Sequence, residues 1–340
     1  MTEGIYVLAN DIVFDQLVAF LNSIEANAGT NYGSNTGKNY PVCIIPYDNR
    51  LEKVKDEIKN RNNVEIFADT AAIARWEDFA TQIWQTHPSA FQTWEQNGIS
   101  GVYRLGMHRR FCGFDGPFDK FIYFDADILV LNSLDYIFQQ LNQNDFVVYD
   151  FQHKDAAHVY NVKSNQLLNV FPLARIDSEI FCAGMYGSKK NIFHQEKRNE
   201  IISQLKQDQA EILYMNAPDQ TILNYMVMKS GISSYNFAHH LPENERTGCC
   251  VTSPHFEARD NILYDKGHPL TYIHYIGLSS QLFTRVCSGE NIDFPYREIF
   301  LHYRYLHEPD KRPKFKSKPK AYNAPPSLAT RILRKLGLAG

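Results

Sequence analysis

Asp125 and Asp127 are the residues on which chemistry is most readily built, because they stand at i and i+2 directly after the apolar run Phe121-Ile122-Tyr123-Phe124. Such a run suits a strand covered on both faces of a parallel sheet. Where that strand ends the chain turns into a loop, so both carboxylates can be aimed into one crevice. In open α/β sheets that crevice is where ligands bind. Two carboxylates in close proximity raise each other's pKa unless a positive charge lies between them. A hard divalent cation, Mn2+ or Mg2+, meets that need and would in turn hold the diphosphate of a nucleotide. The plainer role for Asp127 is that of a turn residue accepting backbone N–H groups.

Other residues have the right chemistry at element ends. The strand Ile5-Tyr6-Val7-Leu8-Ala9 stops on Asn10-Asp11. The meeting of a first strand and its helix is a usual place for base or ribose contacts, and Asp11 equally suits a helix cap. Between Ile99 and Arg110 a helical stretch carries Tyr103, Arg104, His108, Arg109 and Arg110 ahead of the central strand. Basic groups there can meet phosphate or hold a ribose, although a charged helix face more commonly faces solvent. The strand read over Glu179 to Gly187 has small residues in its middle, which implies that something approaches its backbone closely. Asp219 and Gln220 open a helix running to Lys229, where Asp219 either complements the helix dipole or faces the crevice beside Gln220. His274, in the strand Leu270 to Gly277, is either a core histidine or a nitrogen ligand for the same metal.

The elements that must position these groups alternate. Strands are expected at Ile5–Ala9, Val42–Ile45, Val64–Phe67, Phe121–Phe124 and Phe146–Tyr149. Helices are expected from Phe14 to Ile24, Leu51 to Lys59, Ala72 to Ile83 and Leu134 to Leu141. That order predicts an α/β fold with a Rossmann-like, mostly parallel sheet. Asn27 to Asn39 reads as a surface loop, and the polar, aromatic-bearing stretch Phe151 to Phe171 as a candidate acceptor-side loop. No G-x-G-x-x-G fingerprint occurs, which argues against a dinucleotide dehydrogenase. A net charge of -3 over 340 residues does not suggest a nucleic-acid partner. The six cysteines lack C-x-x-C spacing, favouring reduced thiols in a cytoplasmic protein, and no signal peptide or membrane-spanning run is read.

Taken in order, Asn10-Asp11, Tyr103-Arg104, the Tyr123-Phe124-Asp125-Ala126-Asp127 run, Phe181-Cys182-Ala183-Gly184, Asp219-Gln220 and His274-Tyr275-Ile276-Gly277 resemble the retaining glycosyltransferases of family 8. The resemblance spans about Ile5 to Leu282. It implies a GT-A fold with nucleotide and acceptor halves merged in one domain over 1–308, and a basic, Pro-containing tail over 309–340. It implies transfer of a hexose from a UDP-sugar to a glycan or glycolipid, with Mn2+ as cofactor and Mg2+ as its substitute. Asp125, Asp127 and His274 would be the metal ligands, with Asp125 also near the ribose. Asn10 and Asp11 would contact uracil and ribose, and Arg104, Ala183 and Gly277 would line the donor. Asp219 and Gln220 would flank the transferred sugar, and Asp150 would hold sugar hydroxyls.

Two positions depart from the family pattern. Ser280 stands where a diphosphate-binding lysine is usual, so neutralisation falls to the metal and Arg285, and Cys182 stands where Asn is common. The lost lysine motivates an alternative, a catalytically silent scaffold that only binds nucleotide-sugar or glycan. A phosphatase using the first Asp as nucleophile ranks lower, because that motif ordinarily lies near the N-terminus. In the tail, Lys311 to Lys320 reads as a flexible basic linker. Leu328 to Leu338 then reads either as a basic amphipathic helix resting on the inner face of an anionic membrane or as a solvated terminus.

Overall fold

The first strand, β1 (Glu3–Ala9), is apolar at nearly every position because both of its faces are covered. Tyr6 and Leu8 enter the core on one side of the sheet, and Ile5, Val7 and Ala9 enter the core on the other. The computed structural model describes residues 1–31, 34–35, 38–150 and 156–324. After β1 come α1 (Phe14–Asn27), β2 (Val42–Pro46), α2 (Glu52–Ile58), β3 (Val64–Ile66), α3 (Thr70–Thr86) and α4 (Ala90–Gln96). A 3-10 segment at Leu105–Asp115 leads into β4 (Lys120–Asp125), β5 (Ile128–Val130), α5 (Asp135–Gln140), β6 (Phe146–Val148) and β7 (Met185–Lys189). The second half contains α6 (Gln195–Gln204), α7 (Pro218–Lys229), β8 (Ser234–Asn236), β9 (Tyr272–His274), α8 (Ser280–Cys287) and α9 (Arg297–Arg304).

The main sheet has seven strands in the order β8-β6-β7-β4-β1-β2-β3. Its neighbours are parallel except at β7, which runs antiparallel to both β4 and β6. The fold is therefore the expected mixed α/β architecture, a mostly parallel sheet flanked by helices. The chain winds from β1 outward through β2 and β3, then returns to place β4 on the opposite side of β1. That reversal opens a crevice at the C-terminal ends of β1 and β4, where Asn10 and Asp125 stand. Across it, β9 pairs antiparallel with β5, His274 opposite Ile128. This pairing brings a late segment of the chain back to the turn that carries Asp127.

Several elements differ from the sequence reading. The helix expected over Ile99 to Arg110 is instead the 3-10 segment, entered through Arg104 with φ at 53°. A helix ends at Glu179, and β7 starts only at Met185, so the small residues Ala183 and Gly184 precede the strand. The helix Ala90–Gln96 was not expected; its Ala90 and Trp94 are buried. The presumed linker is packed: Lys320–Ala321 pairs with Ile292–Asp293, and the Arg297 guanidinium lies over the Phe315 ring. An apolar ring and a strand edge hold that segment despite its charge. The amphipathic helix read over Leu328 to Leu338, and Phe151 to Asp155 of the candidate loop, lie outside the described residues. Among the described residues no helix is long and apolar enough to cross a membrane.

Helix α3 supports the 3-10 segment from below. Asp69 caps it by accepting from the Ala72 N–H at 2.9 Å. Its apolar face, Ala72, Trp76, Phe79, Ala80 and Ile83, is fully or almost fully buried. Trp76 packs edge-on to Phe111 of the segment and donates its indole N–H to Asp115 at 3.0 Å. Trp76→Ala is expected to cost about 3–5 kcal/mol, read from the urea midpoint; a cost below about 1 kcal/mol would remove this ring from the supporting core.

Candidate active site

Arg110 is the cation around which the crevice is assembled. It is 1% exposed, and its guanidinium reaches Asp125 Oδ1 at 2.9 Å, Asp219 Oδ2 at 3.1 Å and the Ala183 carbonyl at 2.7 Å. It also lies over the Tyr123 ring at 4.8 Å. A buried charge is tolerated only when it is paired and hydrogen-bonded, and here the two carboxylates and the carbonyl satisfy it. The Tyr123 hydroxyl donates to the same Asp125 Oδ1 at 2.7 Å. The protein thus occupies one oxygen of Asp125 and fixes the direction of the other. Burial pushes the Asp219 carboxyl up, but Arg110, with His108 and Arg104, more than offsets this and holds it below the ordinary range.

Asp125, Asp127 and His274 bring one ligand atom each within 4.8 Å of one another. His274 Nε2 lies 3.3 Å from Asp127 Oδ1. Burial alone would push the imidazole down, yet Asp127 holds it well above its usual value. The backbone sets this distance: the Tyr275 N–H donates to the Asp127 carbonyl at 2.9 Å and the His274 N–H to the Cys249 carbonyl at 2.7 Å. Gly184 leaves the ring its space, since a Cβ there would lie 2.4 Å from His274 Cε1. The close approach inferred from small residues is thus the approach of His274. Two carboxylates and an imidazole are a mixed oxygen–nitrogen donor set that suits Mn2+ better than Mg2+, which prefers oxygen alone, and the residues present therefore fit the implied cation.

A cavity of about 520 Å³ opens beside this cluster, lined by Asn10, Tyr47, Arg50, Arg104, Asp125, Asp127 and Ser280 among others. Gly277, at φ 82°, makes the turn that delivers Leu278, Ser279 and Ser280 to its wall. Arg104 holds the left-handed conformation that costs a non-glycine residue about 1–2 kcal/mol, and it does so at the cavity wall. Gln220 is held between two backbone groups, accepting from the Ala183 N–H at 3.0 Å and donating to the His158 carbonyl at 2.8 Å. It lines a second cavity of about 890 Å³, on the side of β9 where Cys249, Cys250 and Ile276 lie. Asp150, 3% exposed, accepts from the Cys182 N–H at 2.8 Å and braces the segment leading to Gly184. Burial pushes the Cys182 thiol up, and the neighbouring His274 ring partly opposes that shift.

Several expected contacts are placed differently: Ala183, expected along the donor, and Asp150, expected on sugar hydroxyls, are buried and line neither cavity. Asp11 points away from the cavity and caps α2, accepting from the N–H groups of Glu52 and Val54 at 2.9 and 3.1 Å. The capping role holds, but for the second helix and not the first. Arg285 is exposed and engages Glu290 at 3.0 and 2.6 Å, so it does not line the cavity. Asp219 is buried against Arg110 and lines neither cavity, so it braces the site from behind. Arg110 itself was read as one of several ordinary basic residues, and Arg50, paired with Asp48, was not singled out although it lines the cavity.

No family model and no curated protein match the chain. Among solved structures it is similar to mouse xyloside xylosyltransferase 1, 11% identical over 67% of this chain and 82% of that one, with a TM-score of 0.49. It is also similar to the WbbM bifunctional glycosyltransferase, 17% identical over 92% of this chain and 52% of that one, at a TM-score of 0.49. A third is the galactosyltransferase LgtC, solved with donor and acceptor sugar analogs, 16% identical over 84% of this chain and 94% of that one, at 0.47. Identities and scores in this range assign no family.

Arg110→Met leaves two carboxylates facing each other without their cation and is expected to cost about 3–5 kcal/mol in urea unfolding. Combining it with Asp219→Asn should cost clearly less than the sum of the single changes, because each removes the reason for the other. Strict additivity would show that the pair does not act as one unit.

Proposed function

We propose that the chain is a metal-dependent, retaining glycosyltransferase of the GT-A type that moves a hexose from a UDP-sugar to a glycan or glycolipid acceptor. The observation that carries this reading is the convergence of Asp125, Asp127 and His274 at a cavity lying at the reversal of strand order. Asp125, Asp127 and His274 would hold the cation, Mn2+ with Mg2+ as substitute. When bound it supplies positive charge to the diphosphate leaving group. Arg104 and the opening turn of α8 at Ser279 and Ser280 flank the same cavity and support diphosphate binding without the family's lysine.

Gln220 lies between the cluster and the second cavity, which takes the acceptor. Its amide is engaged at both ends and carries no basic atom, so its role is to position the transferred sugar. Asp219 is neutralised by Arg110 and is not a nucleophile. By analogy with the family the sequence resembles, substitution on this reading proceeds on one face: the bond from the anomeric carbon to the phosphate oxygen breaks, and the bond to the acceptor oxygen forms. The acceptor's proton passes to the departing diphosphate, and configuration is retained. Holding both partners in place lowers the barrier by removing the entropy of their encounter. Within this reading the C-terminal segment meets an anionic membrane surface, a role supported by the exposed lysines 311, 314, 316, 318 and 320. The silent-scaffold reading is favoured by Ser280 and by the engagement of Arg285 with Glu290.

UDP or a UDP-sugar with Mn2+ should raise the thermal midpoint, by about 3 kcal/mol of apparent stability at a hundredfold excess over Kd, and more than GDP does. Asp127→Ala and chelation should each abolish that rise and the Mn2+-dependent hydrolysis of UDP-sugar. Stabilisation with no turnover would select the scaffold, and no response to any nucleotide with Mn2+ would remove both readings. Gly184→Ala, by displacing the His274 ring, should weaken Mn2+ binding by about 10–100-fold in calorimetry while leaving the fold intact; unchanged affinity would show that His274 is not a ligand.

A further inference from the structure

The second cavity has an unbalanced charge. Arg246 and Lys266 line it, and their hydrogen bonds go to backbone carbonyls: Arg246 to Leu241 at 2.5 Å and His239 at 3.1 Å, Lys266 to Glu243 at 3.4 Å. Among the described residues neither cation has a carboxylate in ion-pair range; this sets the half-buried Arg246 apart from most of the chain's arginines, whereas Lys266 is an exposed lysine like several others without a partner. A carbonyl dipole satisfies the N–H but leaves the positive charge uncancelled. Asp265 is the carboxylate that lines the cavity. It is 4% exposed, its Oδ2 accepts from the Gly248 N–H at 2.8 Å, and its Oδ1 has no hydrogen-bond partner. His255 Nε2 lies 3.3 Å from that oxygen, an ion pair when the ring is protonated, but without hydrogen-bond geometry.

A buried acceptor atom with nothing donating to it is destabilising, and a ligand hydroxyl would relieve that. One ligand answers both features, namely a molecule with an anionic group for the two cations and a hydroxyl for the carboxylate. Resting on the glycosyltransferase reading, we propose that the acceptor is an anionic saccharide, carrying a phosphate or a carboxylate. Its charged group sits between Arg246 and Lys266, and one of its hydroxyls donates to Asp265 Oδ1. A guanidinium fork suits either oxyanion.

Galactose, galacturonic acid and galactose 6-phosphate share one ring and differ in charge, so their affinities measured by saturation-transfer NMR test the idea without any donor present. At least one of the two anionic sugars should bind about tenfold or more tightly than galactose, and which one does separates carboxylate from phosphate. The preference should fall to about twofold in Arg246→Gln/Lys266→Gln and persist in Arg246→Lys, which keeps the charge. Equal binding of all three sugars by the unaltered protein would overturn the proposal, as would an anionic preference undiminished in the double variant. The failure modes separate cleanly. Loss of the anion preference with UDP and Mn2+ still stabilising the chain defeats the acceptor proposal alone, whereas an anion site in a chain indifferent to nucleotides defeats the transferase reading alone.

Discussion

A single guanidinium sealed inside the protein is the constraint from which the site follows. Arg110 ties the end of β4, the opening of α7 and the Ala183 backbone to one point. Removing any of those three partners would leave a buried guanidinium N–H without its acceptor. The arrangement is therefore self-enforcing: the 3-10 segment must sit against α3 so that Arg110 can reach inward, and α7 must begin where Asp219 can meet it. Asp125 then has one oxygen committed to the protein and one left for a ligand.

Around that fixed point the remaining groups are placed mainly by backbone contacts. The β5–β9 pairing decides how far His274 stands from Asp127, and Gly184 decides that the ring has somewhere to go. Asp150 in turn holds the Cys182 N–H just upstream of Gly184. None of these supporting groups is a cation ligand. Each limits where a ligand atom can be, which is the condition for a preorganised site.

Much of this was legible in the chain. The strand periodicities gave the parallel half of the sheet, because a strand buried on both faces leaves a continuous apolar run such as Ile5–Ala9 or Phe121–Phe124. The Asp125–Asp127 pair stood out from residue type and its place at a strand end, whereas His274 stayed open between a core and a ligand role until the resemblance set it beside them; the structure brings the three together. Arg110 was not, since a basic residue beside Arg109 looks like any solvated helix face, and only tertiary packing reveals that it is buried. Asp11 and Arg285 were misplaced for the converse reason: local sequence says that a polar group is near a site but not which neighbour captures it first. The packed course of 309–324 was hidden by its lysines, whose charged ends stay in water while one phenylalanine and a short strand do the docking.

Strand β9 also has two sides. His274 faces the acidic pair, while its own N–H is bonded to Cys249 and its carbonyl to the Val251 N–H, on the side where Cys249 and Cys250 border the larger cavity. The two chambers therefore share one wall, built from the same strand. An occupant that shifted this wall from one side would change affinity on the other, and reciprocity would then require the same factor in both directions. The backbone that fixes the imidazole is thus the same backbone that borders the Cys249 side, so one short ribbon of chain shapes both chambers.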